Sequence, residues 1–206
     1  MNIFNEIELS YYKSNIIFAG ADEVGRGCLA GPVFGAAVVI DQNFDISLIN
    51  DSKKLSSKTM ESLFNKIINT CNDYSIAQLD NEVIDKYNIL QASVKVIELS
   101  LLNLKTQFDV ALIDGNYFHT NHFKYQTIVK GDEKCASIAT ASILAKVSRD
   151  RWMTNVADIL YPEYFFAKHK GYATKLHFEM ITKYGICPIH RKTFLQKFFD
   201  RQNTLF

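Results

Sequence analysis

The chain has 206 residues, 48% hydrophobic and 13% aromatic, enough to bury a substantial core in one domain or in one domain with an appended lobe. No stretch approaches the roughly 18 uninterrupted apolar residues of a membrane span, and the start of the chain, with Glu6 and Glu8, lacks the basic and apolar halves of an export signal, so the expected setting is the cytoplasm. The net charge of +1 conceals a division: residues 1–120 carry 9 Lys and Arg against 15 Asp and Glu, a balance of −6, whereas residues 121–206 carry 14 against 7, or +7. An acidic half beside a basic half suits a metal site next to a phosphate-binding surface.

In chain order, Ile16-Ile17-Phe18-Ala19-Gly20 reads as a buried strand ending at Gly20, and Val33–Ile40 as a second. Between them lies the glycine-rich segment DEVGRGCLAGP. A helix follows DSKK at 51–54: Ser56 can cap it, Leu55 and Met60 can staple its entry, and Met60, Leu63, Phe64, Ile67, Ile68 and Cys71 keep helical spacing. Tyr74–Leu79 reads as a strand and residues 88–106 as a second long helix. Val110-Ala111-Leu112-Ile113 is a buried strand ending at Asp114-Gly115, and Tyr125–Val129 another ending at Lys130-Gly131-Asp132. From Cys135 the small-residue run CASIATASILAKV predicts a closely packed helix towards Trp152, limited by Pro162. A helix over Thr174–Tyr184 and a break at Pro188 complete a C-terminal extension. Strands followed by alternating helices and strands predict a single α/β domain with a mixed sheet flanked by helices, of which about 160–206 is the helical extension.

Three of these strands lead into acids: Asp22 and Glu23, then Asp114, then Asp132. Each has a plain alternative: a solvated loop for the first pair, a turn at Asp114-Gly115, a helix cap at Asp132. Together they form a pattern, because sites in α/β sheets gather at strand ends. Several carboxylates in one place repel one another unless a cation neutralises them, and all-oxygen ligation suits Mg2+ or Mn2+ rather than zinc. Two such ions about 4 Å apart would serve an in-line phosphoryl displacement. The four cysteines, Cys28, Cys71, Cys135 and Cys187, form no CxxC pair and read as reduced thiols.

The segments GADEVGRGCLAGPV at 20–33, DSKKLS at 51–56, LIDGN at 112–116, KGDEKCASIATASILAKVSRDR at 130–151 and HKGYAT at 169–174 resemble, in order, those of ribonuclease HII. The resemblance implies a ribonuclease H-like fold with a C-terminal helical extension, and assigns catalysis and metal binding to Asp22, Glu23, Asp114 and Asp132 with two Mn2+ or Mg2+ ions. It further implies cleavage 5′ of ribonucleotides in duplex DNA and of the RNA strand of RNA/DNA hybrids, leaving 3′-hydroxyl and 5′-phosphate ends, with roles in ribonucleotide excision repair and primer removal. Gly25, Arg26 and Gly27 map to the segment that reads the 2′-hydroxyl, the group that distinguishes RNA from DNA. A dinucleotide-binding loop is the other reading of these glycines, but that fingerprint opens a helix, whereas here acids precede and Pro32 follows.

Tyr172 aligns with a tyrosine that stacks at the junction of ribo- and deoxyribonucleotide, although Ala173 stands where the family motif often has glycine or proline. Lys53, Lys146 and Lys170 fit phosphate contacts and equally a solvated surface. A phosphate contact or a structural hydrogen bond suits His169, His177 and His190 better than general-base work. The terminal QNTLF resembles a sliding-clamp peptide, with Gln202, Leu205 and Phe206 as anchors, against packing of Leu205 and Phe206 on the body. The expected partners are therefore ribonucleotide-containing duplex DNA and RNA/DNA hybrid, with no membrane and a monomeric state; the lack of a domain ahead of DEVGRG argues against a ribonuclease HIII.

Overall fold

The computed structural model describes residues 6–49 and 57–203. Lys53 and the rest of the DSKKLS segment, including the predicted cap Ser56 and staple residue Leu55, lie outside the described residues, as do Leu205, Phe206 and the side chain of Gln202. The elements run α1 (Glu6–Lys13), β1 (Phe18–Val24), β2 (Val33–Val39), α2 (Ser57–Thr70), β3 (Asp73–Leu79), α3 (Asn81–Tyr87), α4 (Ile89–Leu102), β4 (Val110–Asp114) and β5 (Tyr125–Ile128). They continue with α5 (Gly131–Lys134), α6 (Ala136–Trp152), a π-helical turn over Met153–Ala157, α7 (Asp158–Leu160), α8 (Phe166–His169), α9 (Lys175–Tyr184) and α10 (Lys192–Asn203).

Five strands form one mixed sheet in the order β3-β2-β1-β4-β5. β1 is central, antiparallel to β2 with Asp22 opposite Ala36 and Glu23 opposite Gly35, and parallel to β4 with Ala21 opposite Ile113. Side chains alternate across a strand, so successive residues feed two cores. Ala36 and Val38 pack with Leu63, Phe64 and Ile67 of α2 and with the small residues of α6 on one face. Ala19, Ala21, Ala37, Val39, Ala111 and Ile113 pack with Ile97 and Leu101 of α4 on the other. Burying each large aliphatic side chain here is worth about 1.5–3 kcal/mol. Among the described residues no helix is long and apolar enough to cross a membrane.

Three local differences from the sequence reading have physical causes. First, β1 continues past Gly20 to Val24, because β2 supplies hydrogen-bonded partners through Val24; the acids therefore stand within the strand rather than after it. Second, the helix expected over 88–106 is α4 alone, separated from α3 by Asn88, whose φ of 68° breaks the helix while its side chain accepts from the N–H groups of Leu90 and Gln91. Third, α1 is an additional helix, and its Glu8 is fully buried. The local cap residue of α6, Cys135, does not cap the helix with its side chain. Glu8 takes over from 128 residues away, accepting from the N–H of Ala136 at 3.0 Å, the N–H of Ser137 at 2.9 Å and the Ser137 hydroxyl at 2.7 Å. A carboxylate at a helix N-terminus also meets the positive end of its dipole.

Candidate active site

The parallel pairing of β1 with β4 and of β4 with β5 brings the acid-bearing strand ends side by side. Asp22 and Glu23, being adjacent in β1, point to opposite faces. Asp22 turns towards α6, where the Ser142 hydroxyl hydrogen-bonds to it and the Glu23 N–H donates to its Oδ1 at 2.7 Å. Glu23 turns towards α4 and, with Asp114, Arg26 and Ser93, lines a recess of about 60 Å3. Asp114 Oδ1 accepts from the Gly131 N–H at 2.6 Å, which ties the end of β4 to the residue preceding Asp132. Asp132 itself lines a larger cleft of about 520 Å3 with Val24, Ser142, Lys146, Asp150 and Lys170.

The electrostatics of this group are unfavourable without a counter-charge. Burial, followed by repulsion from Glu23 and Asp114, pushes the Asp22 carboxyl up to about 8, against the lowering effect of its hydrogen bonds from Ser142 and the Glu23 backbone. Glu23 is raised mainly by burial and also by Asp114, opposed by Arg26. Arg26 Nη1 lies 3.0 Å from Glu23 Oε1, so the exposed guanidinium already partly neutralises the recess. Mutually repelling hard-oxygen donors fit a divalent cation of the magnesium or manganese type. Among the described residues no three Asp, Glu, His or Cys side chains are closed around a single point, so the donors form an open arrangement.

The loop after β1 is shaped by two buried arginines. Gly25 has φ +96°, and a Cβ there would lie 2.3 Å from Arg149 Nε, so both conformation and packing require glycine. A Cβ on Gly27 would meet nothing within 4 Å, so no neighbour within the described protein demands glycine at that position. Arg149 donates to the carbonyls of Pro32, Ala30 and Lys170 at 2.9–3.2 Å. Arg191 donates to those of Gly31 and Arg26 at 2.9–3.0 Å. Both are fully buried, and these hydrogen bonds all go to backbone carbonyls. Each guanidinium matches several convergent acceptors that a lysine would satisfy less completely.

Tyr172 joins this loop from the C-terminal side through an isolated antiparallel bridge with Cys28. Its hydroxyl hydrogen-bonds to the Cys28 sulfur, the residue is 37% exposed, and its ring centroid lies 5.6 Å from the Arg149 guanidinium and 5.8 Å from Lys146 Nζ. Ala173 lies outside the left-handed region, so alanine is accommodated without strain. Lys146 is paired with Asp150 at 2.8 Å, and Lys170 Nζ donates to Thr154 Oγ1 at 2.5 Å and to the Ala167 carbonyl at 2.6 Å. Both lysines line the larger cleft beside Asp132. Arg26 lines the smaller recess together with Glu23, whereas the next residue of the strand, Val24, lines the larger cleft.

Sequence reading passed over Ser142, Arg149 and Arg191. A signal existed for the first two: residues 138, 142, 145 and 149 share one helical face, and a polar residue and an arginine on an otherwise small, apolar face mark a buried polar contact. Arg191 carried no such signal, because its partners are backbone carbonyls about 160 residues earlier. The three C-terminal histidines are buried and hydrogen-bonded within the protein, so of the two roles expected for them, a phosphate contact or a structural hydrogen bond, the structure shows the second.

The family model and the sequence relatives agree on one family. The family model for ribonuclease HII matches residues 19–198. A ribonuclease HII of Endomicrobium trichonymphae is 52% identical over 94% of this chain and 92% of its own length. Among solved structures, the ribonuclease H2 of Pyrococcus horikoshii OT3 superposes with a TM-score of 0.73 at 25% identity, covering 90% of this chain and 98% of that one. The ribonuclease HII of Archaeoglobus fulgidus in a complex with PCNA superposes with a TM-score of 0.67 at 26% identity, covering 86% of this chain and 94% of that one.

Proposed function

The chain belongs to the ribonuclease HII family, metal-dependent endoribonucleases acting on RNA/DNA hybrids and embedded ribonucleotides, and from that premise we propose how its residues divide the work. Asp22, Glu23, Asp114 and Asp132 hold two Mn2+ or Mg2+ ions. When bound, such ions supply the positive charge that activates water and stabilises the leaving oxygen of a phosphodiester. The chain's own contribution is to collect the donors at three strand ends. Ser142 orients Asp22, the Gly131 N–H orients Asp114, and Arg26 shields Glu23. The observation that carries this reading is the Asp22 carboxyl, held buried beside two further acids and driven up to about 8, which a divalent cation would relieve.

Selectivity rests on the Gly25-Arg26-Gly27 loop and Tyr172. The open space at Gly27 supports close approach of a ribose 2′-hydroxyl, and the half-exposed Tyr172 ring supports stacking on the sugar or base at the junction. Lys146 and Lys170, which line the larger cleft, grip phosphates; Lys53 of the DSKKLS segment is a further phosphate contact. The cut falls 5′ of the ribonucleotide and leaves 3′-hydroxyl and 5′-phosphate ends, and one embedded ribonucleotide suffices; the cellular roles are ribonucleotide excision repair and primer removal. The protein works in the cytoplasm as a monomeric single domain, its extension from about 160 joined to the body through the packing of Leu29, Ala30 and Met153 against Phe166, Ile181 and Leu195. Gln202, Leu205 and Phe206 tether it to a sliding clamp, a reading supported by the archaeal relative solved with PCNA.

One experiment tests the core of this reading. A duplex with a single ribonucleotide is incubated with the protein and Mg2+ or Mn2+, with and without a chelator, and the product ends are mapped. Cleavage at one phosphodiester, lost on chelation and lost in Asp114→Asn, is the expected result. Cutting that persists in Asp114→Asn would overturn the metal-binding assignment.

A further inference from the structure

Beneath Tyr172 runs a buried chain of side chains that the proposed chemistry leaves unused. His177 Nδ1 lies 2.9 Å from the Tyr172 carbonyl oxygen, His177 Nε2 lies 3.0 Å from His190 Nε2, and His190 Nδ1 lies 2.9 Å from the Cys187 backbone nitrogen and 3.1 Å from its sulfur. His177 and His190 are 0% and 1% exposed. The backbone groups at the two ends decide where the protons are. The Cys187 N–H can only donate and lies 2.9 Å from His190 Nδ1, closer than the Cys187 carbonyl at 3.3 Å, which already accepts from the His190 N–H; Nδ1 is therefore an acceptor and Nε2 carries the hydrogen. That hydrogen points to His177 Nε2, which leaves His177 Nδ1–H to donate to the Tyr172 carbonyl, a group that can only accept. The chain therefore has one direction, from Cys187 through His190 and His177 to Tyr172, with both rings neutral.

The same turn is fixed a second time by His169. The Gly171 N–H donates to His169 Nδ1 at 3.1 Å, so His169 Nε2–H donates to the Tyr164 carbonyl at 2.8 Å, and the ring stacks on His177 with centroids 4.3 Å apart. Gly171 packs directly against the loop following β1: a Cβ there would meet the Ala30 carbonyl oxygen at 2.6 Å, and its own carbonyl accepts from the Leu29 N–H at 2.8 Å. The backbone that carries Tyr172 is thus set between the loop following β1 and the imidazole chain. Burial holds His177 and His190 far below the ordinary imidazole range, at about 3 and about 4, so the neutral chain persists across physiological pH.

We propose that His190 and His177 are positioning residues that, through a directional hydrogen-bond chain to the Tyr172 carbonyl, set the Tyr172 ring for recognition of the ribonucleotide–deoxyribonucleotide junction. This inference rests on the reading of Tyr172 given above. A chain of two rings imposes a register that packing alone does not, because reversing either tautomer would bring two donors or two acceptors together.

The test uses substitutions that keep one nitrogen position of the imidazole and lose the other. In His190→Gln the amide N–H replaces Nε2–H and still donates to His177; in His190→Asn the amide oxygen replaces Nδ1, accepts from Cys187 and leaves His177 undirected. The readout is kcat/KM for a single-ribonucleotide duplex divided by that for a uniform RNA/DNA hybrid, with Tm measured alongside. His190→Asn should lower this ratio about fivefold to tenfold, chiefly through a higher KM for the single-ribonucleotide duplex, while His190→Gln stays within about twofold of the parent. Equal ratios in the two variants would overturn the inference. Should His190→Asn not fold, His177→Gln carries the same test, because it keeps an acceptor for His190 and drops the bond to Tyr172; an unchanged ratio there counts against the chain. Tyr172→Ala separates the two layers. If it lowers the ratio and the histidine variants do not, the inference alone fails; if it leaves the ratio unchanged, the reading of Tyr172 fails and takes the inference with it.

Discussion

Replacing Asp22 by asparagine should make the metal-free protein more stable at alkaline pH while abolishing cleavage. Asp22 is 7% exposed, and burial together with Glu23 and Asp114 raises its carboxyl from 3.8 to about 8. Because the folded-state value lies above the unfolded one, the stability contributed by the protonated group is fully present below pH 3.8 and is lost as pH rises through about 8. At 1.36 kcal/mol per unit this represents a ceiling of roughly 6 kcal/mol of destabilisation at pH 8.5. Asparagine removes the charge and keeps an acceptor for the Glu23 N–H, but its amide hydrogens must find acceptors of their own, so a gain of about 2 kcal/mol is expected. The assay is urea unfolding of chelator-treated protein, followed through the one tryptophan, Trp152, at pH 4.5 and pH 8.5. Variant and parent should agree within about 0.5 kcal/mol at the lower pH and differ by about 2 kcal/mol at the higher. Comparing variant with parent at each pH cancels the opposite trend contributed by the buried histidines. A variant less stable than the parent at pH 8.5, or a difference independent of pH, would refute the account of Asp22 as a carboxylate under charge strain.

Other outcomes follow from neighbouring features. Gly27→Ala should leave stability within about 0.5 kcal/mol of the parent and raise KM for ribonucleotide-containing duplex, since its Cβ meets nothing in the described protein; unchanged kinetics would remove Gly27 from the recognition surface. Gly25→Ala should instead cost about 1–3 kcal/mol by urea unfolding, because φ is +96° and Arg149 occupies the space. Arg149→Met should destabilise the protein by about 2–4 kcal/mol by freeing the buried carbonyls of Pro32 and Ala30 and the partly buried carbonyl of Lys170. The folded-state values of His177 and His190 lie below the unfolded one, so the stability they contribute is present above pH 6.5 and lost as pH falls through about 4 and then about 3. Their ring carbon NMR shifts should stay constant from pH 8 to pH 5, and a titration near pH 6.5 would contradict their burial as neutral rings.

The sequence by itself determined the strands and the acids they carry. Apolar runs such as VALI at 110–113 are short and continuous, with β-branched residues at both ends, and Asp22, Glu23, Asp114 and Asp132 lie in or just behind such runs, so local composition was enough to single them out as candidate metal ligands. Five ordered motifs then supplied the family, which the comparisons bear out. Tertiary structure decided matters that depend on partners far along the chain. It extended β1 through Glu23 by pairing it with β2, and so turned two adjacent acids to opposite faces of the sheet. It also supplied α6 with a cap from Glu8 and gave Arg149 and Arg191 their carbonyl acceptors in the loop after β1. Local propensity reports on neighbours three or four residues away. A buried hydrogen bond is chosen by whichever group the folded chain brings within about 3 Å, and here those groups are over a hundred residues apart.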